Sequence, residues 1–171
     1  MNKVFGIISD YIPVKEDRSR WVVSYGFEEV GDRVNATWFE IYFYKKQVGK
    51  ISFKMVKDAI LDDINAQTDY KILTGLVWNG KPVWLSTENQ FNFSEGERKA
   101  KDNPSILPIT YKIGQDSDGN AVYHTFTTVE EITGFYDTCF AYINQCLTEG
   151  WHRKDSIDWT PYEEALEPVI E

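Results

Sequence analysis

Histidine and cysteine are the scarcest chemical resources of this chain, two of each in 171 residues. A structural zinc centre takes four nitrogen or sulfur ligands at short paired spacings, and neither Cys139 and Cys146 nor His124 and His152 are spaced that way. Read on a helix, the two cysteines stand two turns apart on one face, about 10 Å along the axis, which is too far for a disulfide. They read as small core residues of a reducing compartment. Basic residues are short too: 18 Lys and Arg face 27 Asp and Glu, for a net charge of −9. A phosphate backbone would be repelled, so nucleic acid is not an expected partner. Long apolar runs are missing as well. The Val4 to Ile8 run before Ser9-Asp10 is much shorter than a membrane span or signal-peptide core. The expectation is a cytosolic protein with no membrane partner, unless it leaves as part of a larger particle. No phosphate loop or nucleophile elbow occurs, so no cofactor, metal or catalytic residue is assigned.

What the chain does have is rings. Aromatic residues make up 15%, and such side chains dominate both cores and contact surfaces. The densest signal is ILTGLVWNGKPVWL, Ile72 to Leu85, where two apolar runs flank Asn79-Gly80. Asn-Gly tolerates φ > 0 at both central positions of a type I′ turn, so the segment predicts a two-residue hairpin. That register places Leu76, Trp78, Val83 and Leu85 on one face and Val77, Pro82 and Trp84 on the other. Both faces are apolar, so each must be covered or meet a partner. In ATWFEIYFY, Ala36 to Tyr44, alternation puts Phe39, Ile41 and Phe43 on a core face and Trp38, Glu40, Tyr42 and Tyr44 on the opposite one. The second face reads either as an interface or as a surface packed under a helix.

The remaining pattern predicts a single α+β domain over residues 1–171. Antiparallel hairpins form a sheet, one main amphipathic helix packs on it, and a few short helices complete it. Residues 1–52 are β-rich, with a strand in Lys3 to Ile12 and a hairpin of Trp21 to Phe27 and Ala36 to Tyr44 around Gly31-Asp32. A helix is expected over Met55 to Ala66, a short one opening at Ser94 and closing before Asn103-Pro104, and a third hairpin around GQDSDGN. The main helix starts at a Thr127 cap and carries Val129, Ile132, Phe135, Tyr136, Cys139, Phe140, Ile143, Cys146 and Leu147 as its stripe. Gly150 is its expected stop, and Thr160-Pro161-Tyr162-Glu163 opens a terminal helix. Residues 53–162 form an α+β part, and residues 163–171 an acidic tail. Lys45, Lys46, Lys50, Lys54 and Lys57 form a basic region with no acid among them. Basic and acidic regions read as solvated faces, or as surfaces that meet between subunits.

Chemistry is thin. His124 sits in an alternating strand and could partner a carboxylate such as Glu130, and a histidine so placed usually satisfies a structural hydrogen bond. Asp116, Asp118 and Asn120 have the start of a calcium loop, but Ala121 stands where glycine is needed and Thr127 where a bidentate Glu is needed, so the loop reads as a solvated turn.

From about Val56 to Tyr162 the order of signals resembles a domain-of-unknown-function family encoded by tailed phages and prophages, especially those of Bacteroides-type hosts. The segments that carry the resemblance are VKDAILDDINAQTDYKILTGLVWNGKPVWLSTENQFNF, LPITYKIG, YHTFTTVEEITGFYDTCFAYINQCLTEGW and KDSIDW, with ATWFEIYFYKK as a common lead-in. The resemblance brings no enzymatic motif. It implies a non-enzymatic virion structural protein, a head or tail fibre or decoration component assembled in the host cytoplasm. The alternatives are a tail-fibre assembly chaperone and a glycan-binding or glycan-cleaving protein. The expected partners are other virion proteins and further copies of this chain, most simply as a dimer. The interface candidates are Trp38, Tyr42, Tyr44, Trp78 and Trp84.

Overall fold

Alternating aromatic and β-branched residues make the first part of the chain a sheet. The computed structural model describes residues 2–31 and 33–166. They divide into two compact units, residues 2–65 with 152–166, and residues 66–151. Asp32 of the expected turn, and Glu167 to Glu171 of the acidic tail, lie outside the described residues.

In the first unit, β1 (Asn2–Ile7), β2 (Val14–Glu16), β3 (Arg20–Val30) and β4 (Asn35–Tyr44) form an antiparallel sheet in the order β1-β4-β3-β2. The β3–β4 register pairs Val23 with Ile41 and Tyr25 with Phe39, then shifts between Tyr25 and Glu28. Phe39, Ile41 and Phe43 share a face as alternation requires, and with Val23 and Tyr25 they meet α2 (Phe53–Thr74), which follows the short α1 (Lys45–Val48). Val56, Ile60 and Ile64 of α2 are completely buried there, each worth about 1.5–3 kcal/mol in surface removed from water. Tyr162 of α5 (Thr160–Leu166) completes this core.

The second unit is built on two hairpins, β5 (Leu76–Trp78) with β6 (Lys81–Val83), and β7 (Ile109–Gln115) with β8 (Ala121–Phe126). Asn79 has φ 49° and Gly80 φ 73°, the left-handed pair a type I′ turn demands, and Trp78 faces Lys81 as the sequence predicts. The Trp84 N–H donates to the Ile113 carbonyl at 2.7 Å and links the hairpins. The helices α3 (Thr87–Asp102) and α4 (Val129–Asp155) bring Phe93, Ile132, Phe135, Cys139 and Cys146 onto Leu76, Val83, Ile113 and Phe126. The fold class is α+β, about 50% helix and 30% strand, with antiparallel sheets and a long helix packed on them.

Several element ends differ from the sequence reading. Helix α2 runs on to Thr74, because neither glycine nor proline interrupts it before Gly75 and Ile72 continues its buried stripe. Helix α3 opens at Ser86, whose Oγ accepts the Asn89 N–H at 3.2 Å, eight residues before the Ser94 start. The cap of α4 is Thr128, accepting from the Glu131 N–H at 3.2 Å, with the Glu131 carboxylate returning to the Thr127 N–H at 2.9 Å. Gly150 does not end α4. It is buried inside the helix against Thr68, and the helix continues to Asp155. Phe140 leaves the stripe for the surface, where it stacks on Tyr136 with ring centroids 6.3 Å apart. The two cysteines are free and buried, and burial pushes the Cys139 thiol up to about 12, which leaves it unreactive.

Candidate functional site

The expected aromatic interface on β4 separates into three environments. Trp38 is 3% exposed. Its ring lies across Gly6 of the neighbouring strand, where any Cβ would come within 2.5 Å of it, and Tyr11 packs edge-on at 5.9 Å. Its Nε1–H donates to Glu40 Oε1 at 3.2 Å, and Glu40 Oε2 accepts the Tyr42 O–H at 2.7 Å. That carboxylate raises the Tyr42 phenol above its ordinary value, while the Arg20 guanidinium sits 4.2 Å over the Tyr42 ring. Only Tyr44 is widely exposed. Helix α2 covers the opposite face of the sheet, so the burial of Trp38 comes from a glycine and a loop tyrosine rather than from the expected helix.

Trp78 and Trp84 sit on opposite sides of one hairpin, as their register dictates. Trp78 belongs to a ring cluster, 4.9 Å from both Phe135 and His124 and 6.0 Å from Phe126. The outer side is different. Val77 is 64% and Trp84 39% exposed, with Pro82 between them. Two hollows of about 250 and 550 Å³ flank the Trp84 ring; Leu73 lines both. Asp116 borders one and Lys112 the other, so the apolar ground has a polar rim. The Asp116 carboxylate accepts the Asn120 backbone N–H at 2.8 Å and the Asn120 side-chain amide at 3.1 Å, which hold it below the usual carboxylate range, and the Asp118 N–H at 3.0 Å helps organise the turn.

A histidine cluster lies at the hairpin edge. His124 Nε2 is 2.9 Å from Glu131 Oε1, and its Nδ1 is 3.2 Å from the Lys81 ammonium. An ammonium only donates and a carboxylate only accepts, so Nδ1 is the acceptor and Nε2–H the donor. The partner is Glu131 and not the expected Glu130, because one position along α4 turns the carboxylate toward the strand. A histidine base needs its second nitrogen on a hydroxyl, thiol or substrate. Here that nitrogen faces Lys81, so the chain Glu131–His124–Lys81 ties α4, β8 and β6 together. Hydrogen bonds from Thr127 and His124 hold Glu131 below the ordinary carboxylate value. Its stabilisation is therefore complete above the unfolded carboxylate pKa and is lost as pH falls through the depressed folded value. Glu131→Ala is expected to cost about 1 kcal/mol in urea unfolding at pH 7. The difference from wild type should shrink below about pH 4, and a difference independent of pH would contradict this role.

The sequence reading did not find a pocket of about 390 Å³ in the first unit, between the bulged end of β3 and the chain leaving α4. It joins Tyr11, Tyr25, Phe27, Arg153, Asp158 and Tyr162, which are scattered along the chain and carry no common spacing. Among the described residues, no group of three or more His, Cys, Asp or Glu could hold a metal ion, and no helix is long and apolar enough to cross a membrane. Comparison with protein-family models, curated proteins and solved structures finds no match for this chain.

Proposed function

We propose that this chain is a non-enzymatic structural protein of a phage virion, a fibre or decoration component that works through protein–protein contact. The observation that carries the reading is the outer side of the Asn79-Gly80 hairpin. Val77 and Trp84 are exposed there with the half-buried Pro82 on the same side, and a tryptophan beside hollows with a polar rim is the kind of anchor that dominates binding energy at interfaces. The virion context rests on the resemblance of Val56 to Tyr162. The engagement of His124 by Glu131 and Lys81 supports a role without catalysis.

The partner fitted to this surface is another copy of the chain, with other virion proteins beyond it. Sedimentation of the wild type should show a concentration-dependent dimer. Trp84→Ser should raise its dissociation constant at least tenfold, about 1.4 kcal/mol, and leave the thermal melt within about 2 °C, the scale of ±0.5 kcal/mol for a surface substitution. A wild type that stays monomeric at high concentration removes the self-association part. Proteomics of purified particles tests the virion part: presence in mature particles is the expected result, and absence from them would overturn it in favour of an assembly factor left behind.

A further inference from the structure

The pocket of the first unit shares no lining residue with the hollows beside Trp84 and has the composition of a small-molecule site. Its volume of about 390 Å³ is at the lower end of the range for ligand pockets. Its floor is two buried phenols. Tyr162 donates to the Ser24 carbonyl at 2.8 Å and Tyr25 to Asp63 Oδ2 at 2.6 Å, so both rings are locked in place. Phe27 and Tyr11 supply ring surface at the wall, their centroids 4.9 Å apart. Phe27 is 36% exposed, so part of its ring remains open to an occupant.

The rim holds one guanidinium, Arg153, and one carboxylate, Asp158. The Arg153 guanidinium also stands 5.7 Å from the Phe39 ring centroid, and the Asp158 carboxylate accepts at about four positions, of which the Thr160 N–H takes one at 3.0 Å. Opposite charges at one mouth cancel at a distance, so neither an anion nor a cation is drawn in strongly. A site with flat apolar rings, a donor group, an acceptor group and little net field suits an uncharged ligand that has an apolar face and several hydroxyls. We infer that this pocket binds a neutral carbohydrate, one or two hexose rings stacked on Phe27 and Tyr11 with hydroxyls shared between Arg153 and Asp158.

Saturation-transfer NMR on the full chain tests this with glucose, galactose, mannose and N-acetylglucosamine, and with leucine and phenylalanine as zwitterions of similar size. The expected result is transfer to at least one sugar with a Kd on the order of 1 mM. Phe27→Ala and Asp158→Asn should each weaken it at least fivefold, while Trp84→Ser leaves it unchanged. Asp158→Asn keeps an acceptor for the Thr160 N–H, and a thermal melt of each variant confirms that the fold survives. Three results would overturn the inference: no transfer to any sugar, transfer to the amino acids alone, or sugar binding that both pocket variants leave intact. None of them bears on self-association through Trp84, so the two readings fail separately.

Discussion

Phe135→Ala is expected to remove about 3–5 kcal/mol of stability, the range for deleting a fully buried phenylalanine. Phe135 is 1% exposed and stands at the centre of the ring cluster, 4.9 Å from Trp78 and Phe93 and 5.0 Å from Phe126. Its removal opens a cavity between α4 and both hairpins that rigid neighbours cannot fill, so the cost exceeds the transfer free energy of one ring. For a chain of this size the loss corresponds to a fall in Tm of about 6–20 °C. The near-UV signal of Trp78 should weaken even below the transition, because its edge-on partner is gone. A melt within about 2 °C of the wild type would mean that the ring cluster is not the core of the second unit.

The second large effect is expected at Trp38. Trp38→Ala should cost about 3–5 kcal/mol, read as a lower urea midpoint with an unchanged slope. The ring fills the space above Gly6 and beside Tyr11, and its Nε1–H satisfies Glu40. The variant loses packing and leaves Glu40 short of one donor. The contrast with Trp84→Ser makes the comparison sharp, since two tryptophans that look alike in the sequence should separate into one that unfolds the sheet and one that only weakens association. If Trp38→Ala kept its midpoint and instead lost dimerisation, the sheet face would be an interface.

Much of the architecture is readable without coordinates, because it follows from local rules. The Asn79-Gly80 turn is set by two residues that tolerate positive φ, and once the turn has two residues the period of the strand assigns Leu76, Val83 and Leu85 to one side and Val77, Pro82 and Trp84 to the other. The same period places Phe39, Ile41 and Phe43 inward. Helix α4 was legible through its stripe, since Ile132, Phe135, Cys139 and Cys146 recur at helical spacing. Caps were less legible. Thr127 and Thr128 are both competent N-caps, and only the position of Glu131 against His124 selects the second.

The candidate sites divide along the same line. That the outer hairpin side is apolar was contained in the sequence, because alternation is a property of neighbouring residues. Whether it would be covered depended on where α3 and α4 went, and no local rule supplies that. Trp38 shows the reverse case: alternation placed it on a non-core face, and the fold buried it by bringing Gly6 from β1 and Tyr11 from the following loop. Gly150 reads as a helix stop from its residue type, but Thr68 packs against it and the helix continues. The pocket of Tyr11, Phe27, Arg153 and Asp158 was invisible for the same reason. Its residues are brought together by the register shift after Tyr25 and by the return of the chain after α4, and contacts of such sequence separation are chosen by the packing of the whole unit. The sequence by itself determined the turns, the periods and the scarcity of reactive groups; the tertiary structure decided which of the many rings are buried and which remain available to a partner.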